Sequence, residues 1–168
     1  MQIPATRIVA AGSRLSYAWV REEYSGAASV VGGGGSSTTG SWLTRVLNTV
    51  VLDADGILSL SANQITLAAG SYWVRAWGIG VNSNGCQGRL QNVTDATTVA
   101  LGNNVYQGPG VASHSLICGS FTIAAGKALE IQTRHAAAQA TYGLGWSVGL
   151  GNTGDNSVFC TAEFWKTA

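Results

Sequence analysis

The side chains able to do proton, nucleophile or metal chemistry are few in this 168-residue chain. Eight are acidic: Glu22, Glu23, Asp53, Asp55, Asp95, Glu130, Asp155 and Glu163. Two are histidines, His114 and His135, and three are cysteines, Cys86, Cys118 and Cys160. Glycoside hydrolysis uses two carboxyl groups flanking the scissile bond, and Glu130 with Glu163 is the pair to consider. Both fall in the middle of strand-like runs, where an ion pair is the commoner use of a carboxylate. Serine acyl transfer would be signalled by a G-x-S-x-G turn, but Gly143-Leu144-Gly145-Trp146 holds no serine. Cys118 follows His114 by four residues, which in a period-two strand is a same-face coincidence rather than a nucleophile–base pair. "DADG" at 53–56 opens like a calcium loop but lacks the later acidic ligand; it reads as a β-turn. "GGGG" at 32–35 is not followed by the Lys-Ser/Thr of a phosphate loop. Three widely spaced cysteines form neither a disulfide framework nor a zinc site. All three are expected as buried, reduced thiols, made in a reducing cytoplasm. No catalytic residue, cofactor or metal is therefore expected.

The elements that must position these groups are strands. Helical periodicity is scarce, period-two alternation is frequent, and 23 glycines accompany only two prolines. Strands are expected near 15–24, 42–52, 56–67, 71–81, 87–94, 98–102, 114–123, 127–135 and 157–166, a pattern of a sandwich or barrel. "SYAWVREEY" could form a short helix; the alternation of Tyr17, Trp19, Arg21 against Ala18, Val20, Glu22 favours a strand. Charged residues are 10% of the chain, against about 25% in an average soluble domain, so the surface is poorly guarded against association. Net charge is +1 with no basic stripe, which argues against nucleic acid. No apolar run is long enough to span a membrane, and "MQIPATRIVAAGSRL" has no signal-peptide core.

Connections are of two kinds. "AAGS" (68–71), "TDAT" (94–97) and "AAGK" (124–127) are tight, whereas 25–41, 82–86, 103–113 and 136–156 are polar and mostly long. With strands alternating in direction, the tight turns share one end and the connections at 82–86, 103–113 and 136–156 share the other, the end at which a rigid scaffold would carry a binding surface. "NVT" at 92–94 matches a glycosylation sequon, yet its expected role is to end a strand at a turn.

The segments "GSWLTRVLNTVVLDADGILSLSANQITLAAGSYWVRAWG", "GRLQNVTDATTVALG", "GSFTIAAGKALEIQTRH" and "SVFCTAEFWK" together resemble the tip or head domains of bacteriophage tail fibres and needles. Those domains look like the complement-C1q and tumour-necrosis-factor (TNF) jelly roll. The resemblance runs from Leu15 to Lys166. It implies an all-β jelly-roll sandwich, a homotrimer, and a place in a virion where the domain touches a bacterial surface glycan or protein and other virion proteins. Residues 1–14 are then a leader and 15–168 the head domain. Asn82, Asn84, Asn103, Asn104, Tyr106, Gln107, Tyr142, Asn152, Asp155 and Asn156 are the candidate receptor contacts, since amides bond sugar hydroxyls in both directions and rings offer flat apolar surface. A structural plug or capsid decoration, and a polysaccharide depolymerase, are the alternatives; a free-standing bacterial C1q-like protein also fits.

The trimer would explain "SYWVRAW" (71–77). One face of this strand carries Tyr72, Val74 and Ala76, and the other carries Trp73, Arg75 and Trp77. A sheet lying against neighbours around a threefold axis is apolar on both faces. Trp73, Arg75, Trp77, Phe159 and Trp165 are the candidate interface residues, with Glu130 or Glu163 expected to pair Arg75.

Overall fold

The computed structural model describes residues 15–24, 35–146 and 156–167; the expected leader, 1–14, lies outside them. The chain forms strands β1 (Ser16–Tyr24), β2 (Leu43–Thr44), β3 (Thr49–Asp53), β4 (Leu58–Ser61), β5 (Gln64–Leu67), β6 (Gly70–Val81), β7 (Cys86–Asn92), β8 (Thr97–Val105), β9 (Ala112–Ile123), β10 (Ala128–His135) and β11 (Ser157–Lys166). They make two antiparallel sheets. The first has the order β3-β1-β11-β6-β9 and the second β4-β5-β10-β7-β8, with β2 beside β10. No helix is present among the described residues, and so none long and apolar enough to cross a membrane.

Period-two alternation builds the core directly. Ala18 and Val20 of β1, Tyr72, Val74 and Ala76 of β6, and Cys160, Ala162 and Phe164 of β11 point inward from the first sheet. Ile65, Leu67, Leu90, Leu129 and Ile131 meet them from the second. Glycine is required where the sheets approach most closely. A Cβ on Gly78 would lie 2.9 Å from Thr133 Cγ2, and one on Gly88 2.9 Å from Ile117 Cδ1.

Two expected strands are broken. The run 56–67 is a hairpin, β4–β5, turning at Ala62 (φ 49°) and Asn63 (φ 67°), the two consecutive positive φ values of a tight two-residue turn. The run 42–52 is interrupted at Arg45–Asn48 because Arg45 turns inward and is fully buried. Its Nε donates to Glu22 Oε2 at 2.8 Å, Nη1 to Ile79 O at 3.2 Å, and Nη2 to Leu144 O at 2.6 Å and Phe159 O at 3.3 Å. Glu22 is buried too, and its Oε1 finds no well-formed partner among the described residues. Burial pushes the Glu22 carboxyl above its ordinary value, with the charge and hydrogen bond of Arg45 opposing.

The connections do divide between two ends. At one end Lys127 Nζ meets Asp95 Oδ1 at 2.6 Å and Ala128 N donates to Thr94 Oγ1, joining two of the tight turns. At the other, Asn82 N donates to Val111 O, Asn84 N to Gln107 O, Ala137 N to Ser83 O and Val81 N to Gly143 O. "DADG" is a turn, with Asp53 accepting from the N–H groups of Ile57 and Leu58. Asn92 of the sequon is buried and shapes its turn by accepting from Asp95 N at 3.1 Å. Cys86 and Cys160 are buried, but Cys118 is exposed, because it belongs to the outward set of β9 opposite Arg75.

Candidate functional site

The outward face of the first sheet is organised in rows that cross its strands. Tyr17, Trp165 and Trp73 form one row; Trp19, Glu163 and Arg75 form the next; Arg21, Thr161 and Trp77 form a third. Trp165 lies 5.2 Å from both Tyr17 and Trp73, ring centroid to centroid. Arg21 stacks over Trp19 at 4.0 Å. Trp73 is 38% exposed. A concavity of about 530 Å³ opens here between Trp19, Arg75, Trp77 and Glu163. The partner of Arg75 is Glu163, at 2.5 Å. Burial alone would raise the Glu163 carboxyl, but hydrogen bonds from Arg75 and Tyr17 outweigh it and its pKa falls. Tyr17, half-buried and donating to that carboxylate, is pushed up to about 12.

Glu130 is not part of this arrangement. It projects from the outward face of the second sheet, where Thr44 Oγ1, Gln64 Nε2 and Gln132 Nε2 all donate to it. Burial would raise this carboxyl as well, but those three donors prevail and lower it. The sheets of a sandwich lie about 10 Å apart, and Glu130 and Glu163 point away from each other on opposite sides of it. They cannot flank one glycosidic bond.

Phe159 does not belong to the exposed face. It is 3% exposed, because the turn Tyr142–Trp146 folds over it so closely that a Cβ on Gly145 would collide with the ring. Tyr24 covers its other side at 5.5 Å.

The ten candidate receptor residues separate. Asn84, Asn104 and Tyr106 line one groove of about 490 Å³ beside Gln87 and Arg134. Asn103 is committed to structure, accepting from Leu116 N through its side chain and from Ser115 Oγ through its backbone. Asn82 is half-buried in a left-handed turn. Tyr142 stacks on Trp146 at 4.9 Å. Asn156 stands apart and donates to Glu23. Asn152 and Asp155 lie outside the described residues. Gln107 is fully buried and reaches no ligand: its amide accepts from Ser83 Oγ at 2.7 Å and donates to Ser113 O at 3.2 Å, seated against Gly80. Ser83 Oγ also meets His135 Nδ1 at 2.9 Å. His135 is thus a buried core residue, its pKa lowered to about 4 by burial and then by Arg45. His114 stays on the surface beside Trp77, at 5.7 Å.

No protein-family model matches the sequence, and no curated protein does. Solved structures match it over almost their whole length. Murine APRIL at pH 8.0 gives a TM-score of 0.59 at 10% identity, covering 91% of this chain and 99% of that one. The globular domain of zebrafish complement 1qA gives 0.56 at 9% identity, covering 91% and 98%. The vertex protein P5 of PRD1 gives 0.57 at 14% identity, covering 94% and 100%. The fold is the TNF/C1q-like jelly roll. In this jelly roll the pattern "SYWVRAW" belongs to a central strand of the first sheet, with β11 on one side and β9 on the other.

Residues that the sequence reading passed over also stand out. Gln87, Arg89 and Gln91 of β7 and Gln132 and Arg134 of β10 join Glu130 in a continuous outward field of amides and guanidinium groups around one carboxylate. The signal was available: each set alternates with inward residues such as Leu90 and Ile131.

Proposed function

We propose that the chain is a trimeric, non-enzymatic virion domain that contacts a bacterial surface glycan or protein. The observation that carries the reading is the outward face of the first sheet, where five aromatic side chains, Tyr17, Trp19, Trp73, Trp77 and Trp165, form one field beside the concavity. A lone copy leaves Trp73 wet, and on the β3 edge of the same sheet Val50 and Leu52 are 47% and 46% exposed. Other copies of the chain, arranged around a threefold axis as the jelly-roll resemblance implies, would cover both. The PRD1 protein of the same fold, a vertex protein by name, supports a virion setting. The Glu130–Glu163 geometry removes the carboxylate pair on which a depolymerase would rest.

Light scattering at micromolar concentration tests the assembly: three times 17.3 kDa is expected, and a mass of one chain overturns it. Adsorption of virions lacking the chain tests the receptor role, with unchanged adsorption as the contrary result. The likeness to a vertex protein favours a second reading, a structural cap or decoration. It predicts defective particle assembly on deletion, with normal adsorption by whatever particles form.

A further inference from the structure

Two guanidinium groups on the outward face of the second sheet have no carboxylate partner among the described residues. Arg89 and Arg134 lie over the same ring, Trp42, at 4.1 and 4.8 Å from its centroid. Arg89 donates to Gln132 Oε1 and Thr98 Oγ1, and Arg134 donates twice to Gln87 Oε1. Arg89 Nη2 and Arg134 Nη1 are left without a partner among the described residues. The nearest carboxylate, Glu130, is taken up by Thr44, Gln64 and Gln132. The positive charge is felt locally: burial and then the charge of Arg134 lower the Arg89 guanidinium, while Glu130 only partly opposes them. Two like charges around one ring repel, and an indole attracts cations only weakly at an exposed site, so an anion seated between them would be held by both.

Register extends the feature into a row. Arg134 stands opposite Gln87, and Gln87 opposite Asn104. The row therefore runs across three strands, about 10 Å at the usual interstrand spacing. Trp42 flanks its β10 end. Asn84 and Tyr106, the latter 74% exposed, close its other end around the groove of about 490 Å³. Gln87 orients the row, because it accepts from Arg134 and donates to Gly102 O at 3.1 Å.

We infer that the row Arg134–Gln87–Asn104, with Trp42, Arg89 and Tyr106 around it, binds an anionic saccharide. A guanidinium takes the acidic substituent through charge-assisted hydrogen bonds. Asn84 and Asn104 serve the hydroxyls as both donors and acceptors. Tyr106 supplies an apolar face with a polar edge. A uronic-acid carboxylate and a sugar phosphate share this chemistry. The inference rests on the receptor reading above, but moves the contact from the loop tips to the side of the second sheet.

Calorimetric titration of the full chain with three probes tests it: tetragalacturonate, glucose 6-phosphate and neutral maltotetraose. Saturable binding of either acidic probe, at least tenfold tighter than the neutral one and weakening with added salt, is expected; which of the two binds identifies the acid. Arg134→Gln and Arg89→Gln should each weaken that binding at least tenfold with unchanged circular dichroism and mass, while Asn156→Ala should leave it unchanged. Equal binding of the neutral probe, no binding of either acid, or acid binding indifferent to Arg134→Gln would overturn the assignment. Virions carrying Arg134→Gln separate the two claims. If their adsorption is normal while deletion of the chain abolishes adsorption, the receptor reading stands and this row is not the site.

Discussion

The two outward faces of the sandwich are built by the same rule and have opposite character. Each is the alternate set of a period-two strand whose other set fills one shared core. On the first sheet that set is Tyr17, Trp19, Trp73, Trp77 and Trp165 around a single ion pair. On the second it is Gln64, Gln87, Gln91, Glu130, Gln132 and two arginines, joined by side-chain hydrogen bonds. An indole field leaves apolar surface exposed to water, whereas an amide field is satisfied by itself and by solvent. That difference is why we propose a protein neighbour for one face and a polar saccharide for the other, though the core between them is indifferent to which is which.

The largest expected effect comes from charging one face and then the other. Each aromatic side chain withdrawn from water contributes about 1.5–3 kcal/mol, and a trimer repeats every contact. Trp73→Glu should therefore reduce the mass by light scattering from three chains to one. Gln91→Glu, the same charge on the other face, should leave it unchanged; equal dissociation by both would erase the distinction. Next comes the layer between the faces. Arg45→Met strands the buried Glu22 carboxylate, and removing one partner of a buried pair costs about 3–5 kcal/mol. Arg89→Met on the outside should cost about 1 kcal/mol, in line with an exposed hydrogen-bonded group. Urea unfolding measures both, and comparable losses would mean that Arg45 is not the strut described.

A smaller effect follows from His135. Its pKa in the fold is about 4, below the ordinary 6.5, so the unfolded chain takes up a proton first as the pH falls. Stability is then complete above about pH 6.5 and is lost progressively toward pH 4, by on the order of 2–4 kcal/mol. His135→Gln should flatten that limb in a pH series of unfolding curves, and an unchanged slope would contradict the assignment. The smallest effect separates the two faces again. Glu163 and Glu130 both have lowered pKa values, so each stabilises the fold above its ordinary carboxylate value and ceases to do so as pH drops through the lowered one. Glu163 is held by a cation and Glu130 by neutral donors and a more distant arginine. At neutral pH, where both carboxylates are charged, added salt should therefore erode the difference between wild type and Glu163→Gln more than that between wild type and Glu130→Gln.

Period-two alternation made the strands, the sandwich and the two ends legible from residue types alone, because a sheet reads side chains only as inward or outward. What was lost lay where a single residue broke that rule. Ala62 adopts a left-handed turn that its side chain does not advertise, so a hairpin looked like one strand. Arg45 interrupts a strand because its partner Glu22 is 23 residues away in sequence, a distance over which composition carries no information. Gln107 looked like a loop amide facing solvent, yet the buried Ser83–His135 pair needs an acceptor. Phe159 would point outward on a regular β11, but the register shifts between Glu22 and Glu23, Val158 takes the outward side, and Phe159 packs with Tyr24 beneath the turn at 142–146. The partner of Arg75 was narrowed to Glu130 or Glu163 from residue types alone, and the pairing of β11 with β6 decides for Glu163. The polar row on β10, β7 and β8 was readable strand by strand, but only register aligns Arg134, Gln87 and Asn104.

The Arg45 strut has one more consequence, for how this molecule can change over generations. It holds the turn beside Trp146 through the main-chain oxygen of Leu144, and β11 through that of Phe159, and every amino acid brings such an oxygen. The clamp is therefore blind to side-chain identity. Thr141, Tyr142 and Trp146 can be exchanged while the turn keeps its seat, with Gly143 and Gly145 held fixed by Ser37 and Phe159 pressed against them. The anchorage of this loop and its outer chemistry are separately written, so its surface can be revised without refolding the sandwich.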